Sequence, residues 1–243
     1  MKLSRLLLLV ISYFTIYIGH TQEIYYGTSY YLKNNYRHTT NNISDDSSYL
    51  DTCGAADCSN ESRWNVMTSS IPDRQLRKTS EWKILSVQGG REGSIVQNGD
   101  IVYLENQYTN SKNGKTYLDV CGGANCTAGT KLNVSTSIGK NRGTKPTGQW
   151  KIIKEYADGL VNIGDKIYLQ SMYTPYSFLD TCGGANCGGT SLWDVSTNTQ
   201  IDRSGKGTSI WHFENVKANN ETRTTVAHEY LSFNCNPSPS QKE

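Results

Sequence analysis

The sequence predicts an all-β protein. Three observations carry that reading: a polar, turn-rich composition, short β-branched and aromatic runs that alternate with polar residues, and one residue pattern that returns three times along the 243-residue chain. Hydrophobic residues make up only 36% of the chain and glycines number 22. That mixture suits short strands and many turns better than long helices.

The first residues stand apart. Lys2 and Arg5 precede an apolar run from Leu6 to Ile18. A basic start and a short apolar stretch fit a secretory signal, with Gly19 and Thr21 at the −3 and −1 positions and a mature chain from Gln22. The run falls short of the roughly 20 residues that span a bilayer comfortably. No later segment is apolar enough, so no membrane span is expected once residues 1–21 are removed. Formal net charge is +2, with Lys and Arg interleaved among Asp and Glu. The basic stripe that nucleic acid requires is absent.

From Gln22 the chain repeats itself, which is the signal to seek first. Tyr49-Leu50-Asp51-Thr52-Cys53-Gly54, Tyr117-Leu118-Asp119-Val120-Cys121-Gly122 and Phe178-Leu179-Asp180-Thr181-Cys182-Gly183 match almost letter for letter. Each leads to a second cysteine (Cys58, Cys126, Cys187) and then to Asn65-Val66, Asn133-Val134 or Asp194-Val195. Arg74, Arg142 and Arg203 each lie eight residues before a tryptophan: Trp82, Trp150 and Trp211. Upstream, Tyr31-Leu32, Tyr103-Leu104 and Tyr168-Leu169 align, followed by Tyr36, Tyr108 and Tyr173. The loop after those last tyrosines shortens from 13 to 9 to 5 residues, as a surface loop tolerates.

Each repeat offers four strand candidates. In the second they are Ile101–Leu104, the Tyr-Leu-Asp segment, Asn133–Thr136 and Trp150–Ile153. No amphipathic helix of useful length falls between Gln22 and Val216. Three repeats of four strands suit a β-trefoil with pseudo-threefold symmetry, a six-stranded barrel capped by three hairpins. Closure would remove the open edges of a sheet. The predicted domain covers residues 22–217, with repeats at about 24–90, 91–158 and 159–217. Leu50, Val66 and Trp82 and their counterparts are its expected core layers. Residues 218–243 form a polar tail.

Six of the seven cysteines fall into three C-x4-C pairs. In a secreted chain the direct reading is one local disulfide per repeat: Cys53–Cys58, Cys121–Cys126 and Cys182–Cys187. Loops so short gain only about 2 kcal/mol on a chain-entropy estimate. The spacing is a loose match to zinc ligation, which needs four ligands. No histidine or second cysteine pair accompanies it, so no metal and no cofactor is expected. Cys235 is left over, as a free thiol or the link of a dimer. Five Asn-x-Ser/Thr sequons, at Asn42, Asn60, Asn125, Asn133 and Asn220, matter only where the source glycosylates.

Repeated polar residues bear on function. Asp51, Asp119 and Asp180 point away from the leucine beside them in a period-two strand. They either accept sugar hydroxyls or fix the turn before the cysteine. Arg74, Arg142 and Arg203 either hold those carboxylates in a forked pair or recognise an acidic ligand. Trp64 and Trp193 occupy equivalent places, with Leu132 between them. An aromatic face can stack on a pyranose, so repeats one and three are the candidates for binding. Asn65, Asn133 and Asp194 complete the candidate set.

The Leu-Asp-Val run of the second repeat, closed by Gln149-Trp150, resembles the ricin-B-like β-trefoil lectins. The resemblance implies that Asp51, Asp119 and Asp180 hold sugar hydroxyls, with Trp64 and Trp193 as approximate matches to the stacking aromatic. Two departures stand out: the fourth strands lack Gln-x-Trp, and the repeats are longer than that family's. The chain is closer still to secreted microbial proteins with tandem Tyr-Leu-Asp-Thr-Cys-Gly repeats. G-x-S-x-G, H-E-x-x-H and the P-loop are all missing, and the four histidines share no repeat position. The expectation is therefore a secreted, multivalent lectin-like module with glycan partners and no enzymatic activity. Two alternatives remain: a trefoil that binds protein (a protease inhibitor or toxin accessory, acting through the Arg37–Tyr49 loop), or a structural surface protein.

Overall fold

The computed structural model describes residues 21–216, apart from 37–38, 41–42, 45–47, 57, 109–113, 125, 157, 186 and 188–189. Residues 1–20 of the expected signal segment, the expected 218–243 tail with Cys235, most of the Arg37–Tyr49 loop and the sequons Asn42, Asn125 and Asn220 lie outside the described residues. Among the described residues no helix is long and apolar enough to cross a membrane.

The strands are β1 (Ser29–Asn34), β2 (Thr39–Thr40), β3 (Ile43–Ser44), β4 (Ser48–Ala55), β5 (Ser62–Ser69), β6 (Glu81–Ser86), β7 (Ile101–Asn106), β8 (Thr116–Gly123), β9 (Thr130–Ser137), β10 (Trp150–Lys154), β11 (Ile167–Ser171), β12 (Phe178–Gly184), β13 (Ser191–Asn198) and β14 (Trp211–Asn215). β2 and β3 form a small separate ribbon. Two single 3-10 turns follow β5 and β13, at Arg74–Leu76 and Arg203–Gly205.

The all-β class holds, but the β-trefoil of three four-stranded repeats is corrected. The other twelve strands hydrogen-bond into one closed antiparallel barrel. The reason lies in where the long ladders run. β6 pairs with β7 from Trp82–Ser86 to Val102–Asn106, β10 with β11 along its whole length, and β14 likewise with β1. All three ladders cross from one repeat to the next. Within a repeat the hairpins β4–β5, β8–β9 and β12–β13 are long, but the barrel pairings that match these ladders are short: β11 meets β14 at Ile167 and Trp211. A repeat therefore completes its hydrogen bonds in its neighbours and is not a self-contained sheet.

Two rims close the barrel. At one, backbone bonds run in a circle: Ile24 N–H to Val161 O, Val161 N–H to Val96 O, and Val96 N–H to Ile24 O, at 2.9, 3.0 and 2.8 Å. At the other, the hairpins β4–β5, β8–β9 and β12–β13 bring β5, β9 and β13 into mutual pairing. Between the rims sits the core. Trp82, Trp150 and Trp211 are fully buried, and each indole Nε1–H donates to a leucine carbonyl, of Leu50, Leu118 and Leu179, at 2.8, 3.0 and 2.9 Å. A buried indole needs such an acceptor. Leu32, Leu104 and Leu169 and Val66, Val134 and Val195 fill the same core.

Candidate functional site

The cysteines organise the second rim, and they correct the local pairing. Cys53 bonds Cys187, Cys58 bonds Cys121 and Cys126 bonds Cys182, with Cα separations of 5.8–6.1 Å. Each hairpin-loop cysteine reaches the strand cysteine of the next repeat, so the three bonds form a covalent circle. A bulge explains the direction. Register shifts at Cys53/Ala55, Cys121/Gly123 and Cys182/Gly184 coincide with Gly54, Gly122 and Gly183 at φ +53°, +53° and +54°. The bulge keeps the strand cysteine buried and facing the neighbouring hairpin.

Asp51, Asp119 and Asp180 have no exposed side-chain surface. Arg74 Nε is ion-paired with Asp51, Arg142 Nε lies 2.5 Å from Asp119, and Arg203 Nε donates to Asp180 at 2.8 Å. Arg74 and Arg203 also donate to the carbonyls of Thr52 and Thr181. Arg142 instead reaches Ser62 Oγ and Ser135 Oγ at 3.3 and 3.4 Å. Burial pushes all three carboxyls above their ordinary range, Asp119 to about 6, against the pull of the arginines and of Thr79, Thr147 and Thr208. The aspartates thus lie beneath the surface, and their oxygens are withdrawn from solvent rather than presented to a sugar.

The aromatic residues do come to the surface, in pairs drawn from different repeats. Trp64 meets Tyr108 edge to face with centroids 5.2 Å apart, and Trp193 meets Tyr36 in the same way at 5.1 Å. Their backbones are held by equivalent bonds. Thr136, Thr68 and Thr197 each accept, through the side-chain hydroxyl, the N–H of Trp64, Trp193 and Leu132 at 3.1 Å. Buried Asn34 and Asn106 accept the N–H groups of Tyr36 and Tyr108. Beside Trp64 and Tyr108 lies a cleft of about 190 Å³. Thr52, Thr79, Arg74 and Arg77 line it, against the Cys53–Cys187 disulfide. In the third equivalent place Leu132 replaces the tryptophan and Lys145 Nζ sits 5.7 Å over the ring of half-exposed Tyr173.

Inside the disulfide circle is a second hollow, of about 260 Å³, where β5, β9 and β13 meet. Asn65, Asn133 and Asp194 line it above Val66, Val134 and Val195. An Asp194 oxygen lies within 4.8 Å of the sulfurs of Cys126 and Cys182. Those sulfurs are bonded to each other, so they supply no thiolate to a metal.

No family model and none of the curated proteins matches this chain. Solved structures do match in fold. An SDF2-like protein from Arabidopsis thaliana superposes with a TM-score of 0.56 at 17% identity, over 79% of this chain and 94% of that one. A Caenorhabditis elegans protein of unknown function gives 0.58 at 18%, over 81% and 98%. The botulinum neurotoxin serotype D binding domain gives 0.53 at 15%, over 81% of this chain and 44% of that one. At such identities the likeness is one of fold. It is consistent in outline with the ricin-B-like resemblance, while membership of a tandem-repeat family is not shown by it.

Sequence reasoning missed three sets of residues that shape the barrel and its clefts. One is the threonine set that holds the tryptophans. Another is Arg77, Lys145 and Lys206, each three residues past the paired arginine and each exposed; the same internal alignment that found the arginines carries this signal. The third is Ile24, Val96 and Val161, whose closing circle no local pattern announces.

Proposed function

We propose that the protein is a secreted carbohydrate-binding module that takes sugar at two of three equivalent clefts. The supporting observation is the pairing of a half-buried tryptophan with a tyrosine from the next repeat, at Trp64–Tyr108 and at Trp193–Tyr36. Such a pair offers a rigid apolar face, and the neighbouring hydroxyls and cations take the polar rim of a saccharide. The Arg77 rim favours a sugar that carries a carboxylate or sulfate. Leu132 leaves the third cleft without its tryptophan, and Lys145 Nζ covers the Tyr173 ring there, so the module is bivalent and gains avidity on a dense glycan surface. No reaction centre enters this reading. Its disulfides suit an oxidising, extracellular compartment.

The test is a glycan array of neutral and acidic sugars with the mature chain. Retention is expected on acidic glycans, weakening with salt as exposed charges are screened. Trp64→Ala and Trp193→Ala should each weaken their own cleft by about 2 kcal/mol, roughly 30-fold, and the double variant should lose retention. A flat array, or full retention by the double variant, overturns the reading.

A further inference from the structure

The hollow inside the disulfide circle has a chemistry of its own. Three equivalent positions on β5, β9 and β13 present Asn65, Asn133 and Asp194 around one centre. Asn65 spends its amide nitrogen on the Ala55 carbonyl, at 3.0 Å, so its free group is an oxygen. Asp194 breaks the symmetry with a charge. Among the described residues no cation ion-pairs with it, and burial raises it above the ordinary carboxylate range against the pull of the Val195 backbone N–H. A half-buried carboxylate without a cation is costly, and a ligand that supplies one relieves that cost.

We propose that this hollow is a binding site for a primary ammonium group. An ammonium carries three N–H donors set threefold about its C–N bond. Three equivalent side chains around one centre offer it three acceptor oxygens: one each from Asn65 and Asn133 and the carboxylate of Asp194. The single negative charge matches the single positive one. The valines below and the disulfides around lower the polarity on one side of the site and strengthen the pair. The site is separate from the aromatic clefts and does not rest on the carbohydrate reading. A lysine side chain of a partner protein and an amino sugar share this chemistry.

Two amines separate those sources by side-chain amide and backbone NMR of the isotopically labelled chain: Nα-acetyl-lysine methylamide and glucosamine. Each is paired with a counterpart that lacks the three donors, the Nε-trimethylated lysine derivative and N-acetylglucosamine. At least one amine is expected to give saturable shifts at Asn65, Asn133 and the β13 amides, at least tenfold tighter than its counterpart. Asp194→Asn, which installs the residue already present at the two equivalent positions, should weaken that amine at least tenfold. Trp64→Ala with Trp193→Ala should leave it unchanged. Absence of saturable shifts with both amines, equal binding of the counterparts, or undiminished binding to the Asp194 variant overturns the proposal, and the comparison of amine with counterpart needs no variant.

Discussion

Each buried aspartate–arginine pair clamps the start of a hairpin, and each is also a liability. Removing one partner strands a charge without water, which typically costs about 3–5 kcal/mol, while replacing both by apolar residues costs far less. Arg74→Met should therefore lower unfolding free energy by that amount, and Asp51→Leu with Arg74→Met should recover most of it; denaturant titration of the two variants decides. A second residue-scale effect sits at the seam between β1 and β14. Glu214 accepts from Lys33 Nζ at 3.0 Å and from Tyr49 OH at 3.3 Å, with His212 Nε2 at 3.7 Å. The nearby His212 ring and then Lys33 pull its carboxyl down to about 2. A depressed folded pKa means the unfolded chain binds the proton first as pH falls. The contribution is thus complete above about pH 5 and drains away between roughly pH 4.5 and pH 2. Because the group is partly exposed, about 1 kcal/mol is expected. Glu214→Gln should flatten the acid limb of the stability profile by that much, and an unchanged limb would count against the assignment.

At the scale of elements, the hairpins depend on three glycine bulges. A Cβ at Gly183 would stand 3.1 Å from Cys126 Sγ, whereas one at Gly54 would meet Cys187 Sγ only at 4.0 Å. Both glycines sit in the left-handed region, where a side chain costs about 1–2 kcal/mol. Gly183→Ala should cost more than Gly54→Ala, a gap readable as several degrees in melting temperature; equal losses would show that backbone strain alone decides. The strands themselves were legible in the sequence because alternation and turn residues are local. Trp82, Trp150 and Trp211 were legible as core, and the Arg–Asp pairing was one of two open readings. What stayed hidden is whatever depends on which strands meet. The β6–β7 ladder, the circle of Ile24, Val96 and Val161, and the threonines that hold Trp64 and Trp193 all join residues of different repeats. A repeat unit read by itself shows none of them. The same blindness left the sugar reading of Asp51, Asp119 and Asp180 open beside the structural one, since a period-two strand says which way a side chain leaves but not what covers it.

For the whole molecule, the circle of disulfides changes what holds the barrel shut. Local bonds would close short loops. The observed ones span 134, 63 and 56 residues, which raises the chain-entropy estimate to about 4–5 kcal/mol for each taken alone. They also make the three hairpins one covalent body, so opening any single bond leaves all three still tethered. Trypsin can read this directly. No lysine or arginine falls within residues 38–63, 116–131 or 167–203 except at their C-terminal ends, and each of these peptides carries both cysteines of its repeat. Circular pairing must therefore release the three peptides from the unreduced protein as one disulfide-linked species, which reduction splits. Local pairing would release three separate peptides. Cys58→Ser with Cys121→Ser should keep the three peptides linked as an open chain while lowering the melting temperature. Cutting a second bond should free one peptide, and recovery of separate peptides from the unmodified protein would refute the circle.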